Sequence, residues 1–404
     1  MISQTAEQNY FIELIGAVLF EKELAPPPQQ MDYQKMCRLA AHSSLSGFLY
    51  DGFRRAAFDV PADSLAMSLE MRNRSVAREA IQEVEAQQIL SSLERSGVRC
   101  VPLKGLLLKE LYPKPYLRLS VDVDILCDAR QFGQVEQVMN PLGYTLQHRG
   151  GCHDVYFKAP NLNVEIHNKL FHTPASWREF SKQAWKRAVP YQEYQAVRQF
   201  TLEDSYLYLM LHTSKHLRAA GAGLRSVLDQ MLFLLRYADM LNWEEVNAQL
   251  ERYGLGKVHR HFLELGPHLF PECREISPFF ASLSEECSPE MLDTLGSFLF
   301  RSGAMGTVQT MVNLNLMRSK QQGVSPGPRL RYTLRRLFPN RQAMEYIFPK
   351  LERAPGLLPF YWVERLVKTA LFRSNYVNAE VQSMKHLDEQ EISQLKQLYR
   401  ALGL

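Results

Sequence analysis

Ala86, Ile89, Leu90 and Leu93 recur at i, i+3, i+4 and i+7, the spacing that lays one apolar stripe along a helix. Ser96-Gly97 ends that stripe, since glycine readily closes a helix. The chain upstream reads the same way, so residues 1–98 are expected to form an N-terminal helical region. The period then shortens. "VRCVPL" predicts a short strand, and "LLLKELYP" a helix stopped by Pro113. "VDVDILC" predicts the next strand and "ARQFGQVEQVM" a helix. The runs "GYTLQHR", "HDVYFKA" and "LNVEIHN" read as three further strands, parted by Gly150-Gly151 and Pro160-Asn161. Residues 99–174 therefore form an α/β unit with a mostly antiparallel finish.

Beyond Pro174 the helical pattern returns. Thr201, followed three residues on by Asp204, opens a helix running to about Leu217. A second helix follows "AAGAGLRS" and a third starts near "NWEEV", within a helical region spanning 175–300. The last part, 301–404, is a helical extension with a basic segment. Between Arg301 and Arg341 it holds several arginines and no acidic residue, with a loop at "GVSPGPR". Its "LLPFYWVERLVKTALFR" is amphipathic, which suits helix packing and also peripheral contact with a membrane. The fold class that follows is α+β: a mixed sheet core flanked by N-terminal and C-terminal helical regions.

Composition narrows the classes. A chain of 404 residues can hold two or three domains, and 46% hydrophobic with 22% charged residues is that of an ordinary globular protein. A formal net charge of +4 argues against a general nucleic-acid binder, and makes the basic segment a solvated face before it makes it a surface for tRNA or acidic lipid. Cys37, Cys100, Cys127, Cys152, Cys273 and Cys287 form no CxxC pair, which suits a reducing compartment. The apolar run "YFIELIGAVLF" is broken by Glu13 and follows no basic stretch, and no run reaches the roughly 20 apolar residues of a membrane-spanning helix. The expected setting is the cytoplasm.

The chemistry concentrates in "LKGLLLKELYPKPYLRLSVDVDIL". On a strand, Asp122 and Asp124 point to the same side with only Val123 between them. Like charges at that spacing repel, and a shared proton, a basic partner or a divalent cation must offset them. Arg118 and Ser120 alternate with the two aspartates and face the same side if the strand begins that early. Upstream, Lys104-Gly105 stands where a strand gives way to a helix, a place where a bare backbone and a point charge suit phosphate. Downstream, Glu165 in "NVEIHN" brings a third carboxylate from another strand, with His167 on its face. Three carboxylates make the oxygen ligand set that Mg2+ prefers, and Mn2+ also fits. His167 reads equally as a neighbour of that site or as a satisfied core histidine.

Two pairs lie further on. His212 and His216 sit at i, i+4 on one helix, and Arg225 and Asp229 share that spacing on the next. These four read as a buried ion-pair network tying the two helices, with a wall of an acceptor pocket as the functional alternative.

The order "LKG…YP…LRLSVDVDIL…NVEIH", then "H…H…LRSVLD", resembles the bacterial nucleotidyltransferase family of largely unassigned substrate, within the polymerase-β-like superfamily. The motifs cover about residues 100–170 and the wider similarity reaches about 270. One departure is that the superfamily usually carries Gly-Ser at the turn where this chain has Lys104-Gly105. The resemblance implies a sheet core of nucleotidyltransferase type and transfer of a nucleoside monophosphate from an NTP to a hydroxyl-bearing acceptor, releasing pyrophosphate. It implies two Mg2+ ions on Asp122, Asp124 and Glu165, with Lys104, Gly105, Arg118 and Ser120 around the phosphates. The acceptor stays open among small molecules, protein side chains and RNA ends. Two rivals stand beside this reading. A glycosyltransferase also uses DxD, but normally behind a long nucleotide-binding α/β half, where this chain has helices. A degenerate fold that binds nucleotide or a partner without turnover is compatible with the altered turn.

Overall fold

The structure, a computed structural model, describes the chain apart from residues 1–4, 29–30, 173, 305, 322–327, 373 and 386–388. Four helices come first: α1 (Ala6–Leu19), α2 (Tyr33–His42), α3 (Gly47–Phe53) and the long α4 (Ala62–Arg95). Ser96 caps α4, and Gly97 follows at φ +64°, a left-handed turn that glycine adopts without steric cost.

The sheet follows. Strand β1 (Cys100–Pro102) leads into the short α5 (Lys104–Leu108), then β2 (Asp122–Cys127), α6 (Phe132–Met139), β3 (Thr145–His148), β4 (His153–Lys158) and β5 (Leu162–His167). Their order across the sheet is β1-β2-β5-β4-β3. Strand β2 pairs with β5 in parallel, and every other pair is antiparallel, so the sheet is mixed and the fold is α+β.

Alternation along β2 and β5 divides the sheet into two unlike faces. Val123, Ile125, Val164 and Ile166 are buried against Ile89, Leu90 and Leu93 of α4 and Val135, Val138 and Met139 of α6. The stripe of α4 read from the sequence is the one that covers this face. Each such side chain contributes about 1.5–3 kcal/mol of transfer free energy, enough to fix the register. With register fixed, the intervening residues Asp122, Asp124, Glu165 and His167 have only the opposite face to occupy.

Helices pack beyond that face: α7 (Ala175–Arg187), α8 (Leu202–Ala219), α9 (Arg225–Tyr237), α10 (Trp243–Arg252) and α11 (Gly256–Leu269). Their apolar sides join α1–α3, Leu103 and Leu126 in one core. Thr201 accepts a hydrogen bond from Asp204 N at 3.2 Å, as a cap should, but the Asp204 carboxylate turns to Arg187 instead of reaching back.

In the last hundred residues, helices Val308–Gln321 and Pro328–Leu337 carry the basic segment, and the "GVSPGPR" loop lies largely outside the described residues. The acid that this segment lacks comes from later helices, Glu380 pairing with Arg336 at 2.8 Å and Glu391 with Arg301 at 3.8 Å. The helix Leu358–Phe372 leaves Phe360, Val363 and Val367 exposed. Among the described residues, no helix is long and apolar enough to cross a membrane.

Candidate active site

Strand pairing brings the three carboxylates together. Asp124 of β2 is the register partner of Glu165 of β5, and Asp122 lies two residues along the same face. One oxygen from each of Asp122, Asp124 and Glu165 falls within 4.8 Å of the others. All three are partly open to solvent. Their charges do not behave alike. Burial and the Asp124 charge push the Asp122 carboxyl up, against the pull of Lys104 and Arg225. For Asp124 burial acts in the same direction, but the hydrogen bond from His167 and the charges of His167, Lys104 and Lys215 outweigh it and hold the carboxyl well below the usual range. Burial and the two aspartates push Glu165 up to about 7.

His167 lies beside this group. Its Nε2 donates to Asp124 Oδ1 at 2.9 Å, which fixes the orientation of that carboxylate. His167 thus lies beside the acidic cluster, buried and with its Nε2 satisfied by Asp124.

The strand does not begin as early as the alternation of Arg118 and Ser120 suggests. Residues Pro115–Leu117 form a 3-10 turn, and β2 starts at Asp122. A different force sets the position of Arg118. Its guanidinium clamps Asp229 of α9 with two bonds, Nε to Oδ1 at 2.6 Å and Nη2 to Oδ2 at 2.7 Å. Tyr112 donates to the same carboxylate at 2.9 Å, and Arg118 Nη1 reaches Ser120 Oγ at 3.2 Å. Arg225 donates to Leu119 O at 2.5 Å. Asp229 and Arg225 thus tie α9 to the loop before β2. The ion pair joins α9 to that loop, not to α8.

Gly105, Arg118, Ser120 and Asp122 line one small cleft, shared with Glu79, Gln82 and Lys109. A Cβ on Gly105 would lie 3.4 Å from Ser120 Oγ and 4.0 Å from Asp122 O, ordinary contact distances at the edge of that cleft. Lys104 turns the other way. Its Nζ stands 2.6 Å from His212 Nε2 and 3.0 Å from Nδ1, and His212 Nε2 stands 3.2 Å from His216 Nε2. Burial, together with the charges of Arg225 and Arg118, pushes Lys104 down to about 8 despite Asp124. Burial and the same lysine push His212 well down and His216 to about 3, so both rings are neutral near pH 7. Among the described residues no third ligand joins His212 and His216 to make a metal group.

Two residues near the site escaped the sequence reading. Lys215, exposed on α8 between the two histidines, places its charge where it lowers Asp124 and Glu165. Its position at i+3 from His212 was the available signal. His153 of β4 is the register partner of His167. No local signal marks it, because only strand pairing brings it there.

Residues 29–271, more than half of the chain, match a family described as uncharacterised nucleotidyltransferase. Among solved structures, the solution structure of the antibiotic-resistance factor ANT(2'')-Ia is similar over 45% of this chain and 98% of its own length, at 12% identity and a TM-score of 0.33. No curated protein matches.

Proposed function

Given that this chain belongs to a family of uncharacterised nucleotidyltransferases, we propose that it moves a nucleoside monophosphate from an NTP to a hydroxyl-bearing acceptor and releases pyrophosphate. The observation that carries this is the convergence of Asp122, Asp124 and Glu165 from two paired strands to within 4.8 Å. An all-oxygen group of this kind suits Mg2+, and Mn2+ also fits. The donor set therefore agrees with the divalent ions that the family reading requires. When bound, such ions supply charge neutralisation at the phosphates and a lowered pKa at the acceptor hydroxyl.

The chain's own residues take the remaining roles in this reading. The acceptor oxygen forms a bond to the α-phosphorus as the bond from that phosphorus to the pyrophosphate oxygen breaks. Glu165 orients the acceptor hydroxyl and takes its proton. Lys104 and Lys215 offset negative charge on the triphosphate, the role that a Gly-Ser turn would share elsewhere. Gly105 and Ser120 shape the cleft beside Asp122. Arg118 and Asp229 hold the wall of that cleft, and His167 keeps Asp124 aimed. Residues 99–174 are the proposed catalytic unit, between helical regions 1–98 and 175–300, the second facing the acceptor, with 301–404 as an extension. The proposed setting is the cytoplasm, on the six free cysteines. Any peripheral membrane contact is assigned to the helix Leu358–Phe372.

Calorimetric titration of each NTP, with and without Mg2+, tests the reading in wild type and in Asp122→Asn combined with Asp124→Asn. Mg2+-dependent binding of a triphosphate by wild type alone is the expected result. Unchanged binding in the double variant, or binding indifferent to Mg2+, would overturn it.

A further inference from the structure

The carboxylate face extends beyond the acidic group, and its far end has a different chemistry. His153 and His167 are opposite residues of the antiparallel β4–β5 pair, so both side chains project to one side. Glu165, two residues from His167 on β5, shares that side. One ligand atom from each of His153, Glu165 and His167 lies within 4.8 Å of the others. The detail that matters is where Glu165 Oε2 sits. It is 3.6 Å from His153 Nε2 and 3.5 Å from His167 Nε2. These separations are too long for hydrogen bonds. They are close to the spacing of two donor atoms on one ion, since bonds of about 2.0–2.2 Å from a common metal leave neighbouring ligand atoms roughly 3–3.6 Å apart. The three side chains are between 11% and 26% exposed, so the position is partly enclosed and still reachable from solvent.

We propose that His153, Glu165 and His167 form a second cation site, for a borderline divalent ion such as Co2+ or Zn2+. Two imidazoles and one carboxylate discriminate against Mg2+, which takes oxygen ligands and is reluctant to lose water. They leave coordination positions open to water or a substrate oxygen. The site touches the acidic group through Glu165, the one residue common to both sets, and so deepens the transferase reading. The two sets divide the metals by chemistry: oxygen ligands at the Asp122 end, nitrogen ligands at the His153 end. Occupancy of the nitrogen site would hold Glu165 toward β4 and would displace the Nε2 proton that His167 gives to Asp124, exchanging that hydrogen bond for a bond to the ion.

The test titrates Co2+ alone into the full chain, without nucleotide, following visible d–d absorption and heat. Wild type is expected to bind Co2+ with nitrogen-ligand absorption that millimolar Mg2+ does not displace. His153→Ala should weaken binding by about tenfold or more and lose the absorption, while Asp122→Asn keeps it. A circular dichroism melt of His153→Ala confirms that the sheet is intact, and His153→Gln repeats the test with a side chain of closer size. Equal Co2+ affinity in both His153 variants, displacement by Mg2+, or no binding by wild type would each overturn the proposal. So would loss of the absorption in Asp122→Asn with retention in His153→Ala, which would place the ion among the carboxylates. Mg2+-dependent triphosphate binding, measured on the same preparations, reports separately on the transferase reading, so that either can fail without the other.

Discussion

Asp229 and Asp124 are both aspartates close to positive charges, arginines for the first and lysines for the second, yet their surroundings are opposites. Asp229 has a bidentate arginine and a tyrosine hydroxyl, and the Arg118 side chain that holds it is 2% exposed. Charge and donors balance there within the protein. Around Asp124 three carboxylates gather, and the hydrogen bond from His167 falls on one of them. A closed network of the first kind holds elements in place. A cluster with surplus negative charge costs the folded state and is the kind of place where a cation or a cationic transition state is stabilised. The contrast separates structural polarity from chemical polarity better than residue type does.

The largest effect expected is on chemistry at the open cluster. Asp122→Asn with Asp124→Asn should lower nucleotidyl transfer by roughly 10^3-fold or more, the scale of several kcal/mol of lost charge stabilisation. Its melting temperature should stay within a few degrees of wild type, because the substitution also relieves repulsion. Pyrophosphate release and a thermal melt check the two halves. A melt that collapses would mean that the acidic cluster is structural after all.

At the closed network the balance reverses. Asp229→Ala leaves the Arg118 guanidinium buried without its partner, and about 3–5 kcal/mol of stability should be lost in urea unfolding. The same pair has a pH signature. Arg118 and Tyr112 hold the Asp229 carboxyl below its usual range against burial. The stability it confers is therefore complete above the unfolded value near 3.9 and is lost as pH falls through the lower folded value. Unfolding followed from pH 5 to pH 2 should show that loss in wild type, and a flatter profile would remove Asp229 from the explanation.

The smallest expected effect sits between the two regions. Lys104 faces neutral His212 with its pKa down at about 8, so its charge costs the folded state at neutral pH. An unfolded lysine titrates near 10.4, so between about 8 and 10.4 the unfolded chain holds the extra proton and stability rises with pH. Lys104→Met should gain about 1 kcal/mol at pH 7, with the difference from wild type closing toward pH 10, while triphosphate affinity falls about tenfold. If the variant loses stability and keeps its triphosphate affinity, the turn is only a turn.

Much of the sheet was legible because period two survives burial: Val123 and Ile125 turn inward and Asp122 and Asp124 turn out, whatever lies around them. The stripe on α4 was legible for the matching reason at period 3.6. The strand placement of Arg118 fails because β2 starts only at Asp122, and its partner Asp229, 111 residues away, gives no local signal. His153 was invisible because pairing register is a long-range property. The transferase chemistry was implied by the resemblance that these motifs carry, but the proposed second use of Glu165 needed coordinates.

The parallel pairing of β2 with β5 has a consequence in time as well as in space. Asp124 and Glu165 meet only after α6, β3 and β4, the whole of the intervening chain, have been looped back. A contact of that sequence separation forms late, after the local helices and the β3–β4 hairpin. A chain on the ribosome that has not yet emerged through Glu165 therefore lacks the third carboxylate of this cluster, however helical it has already become.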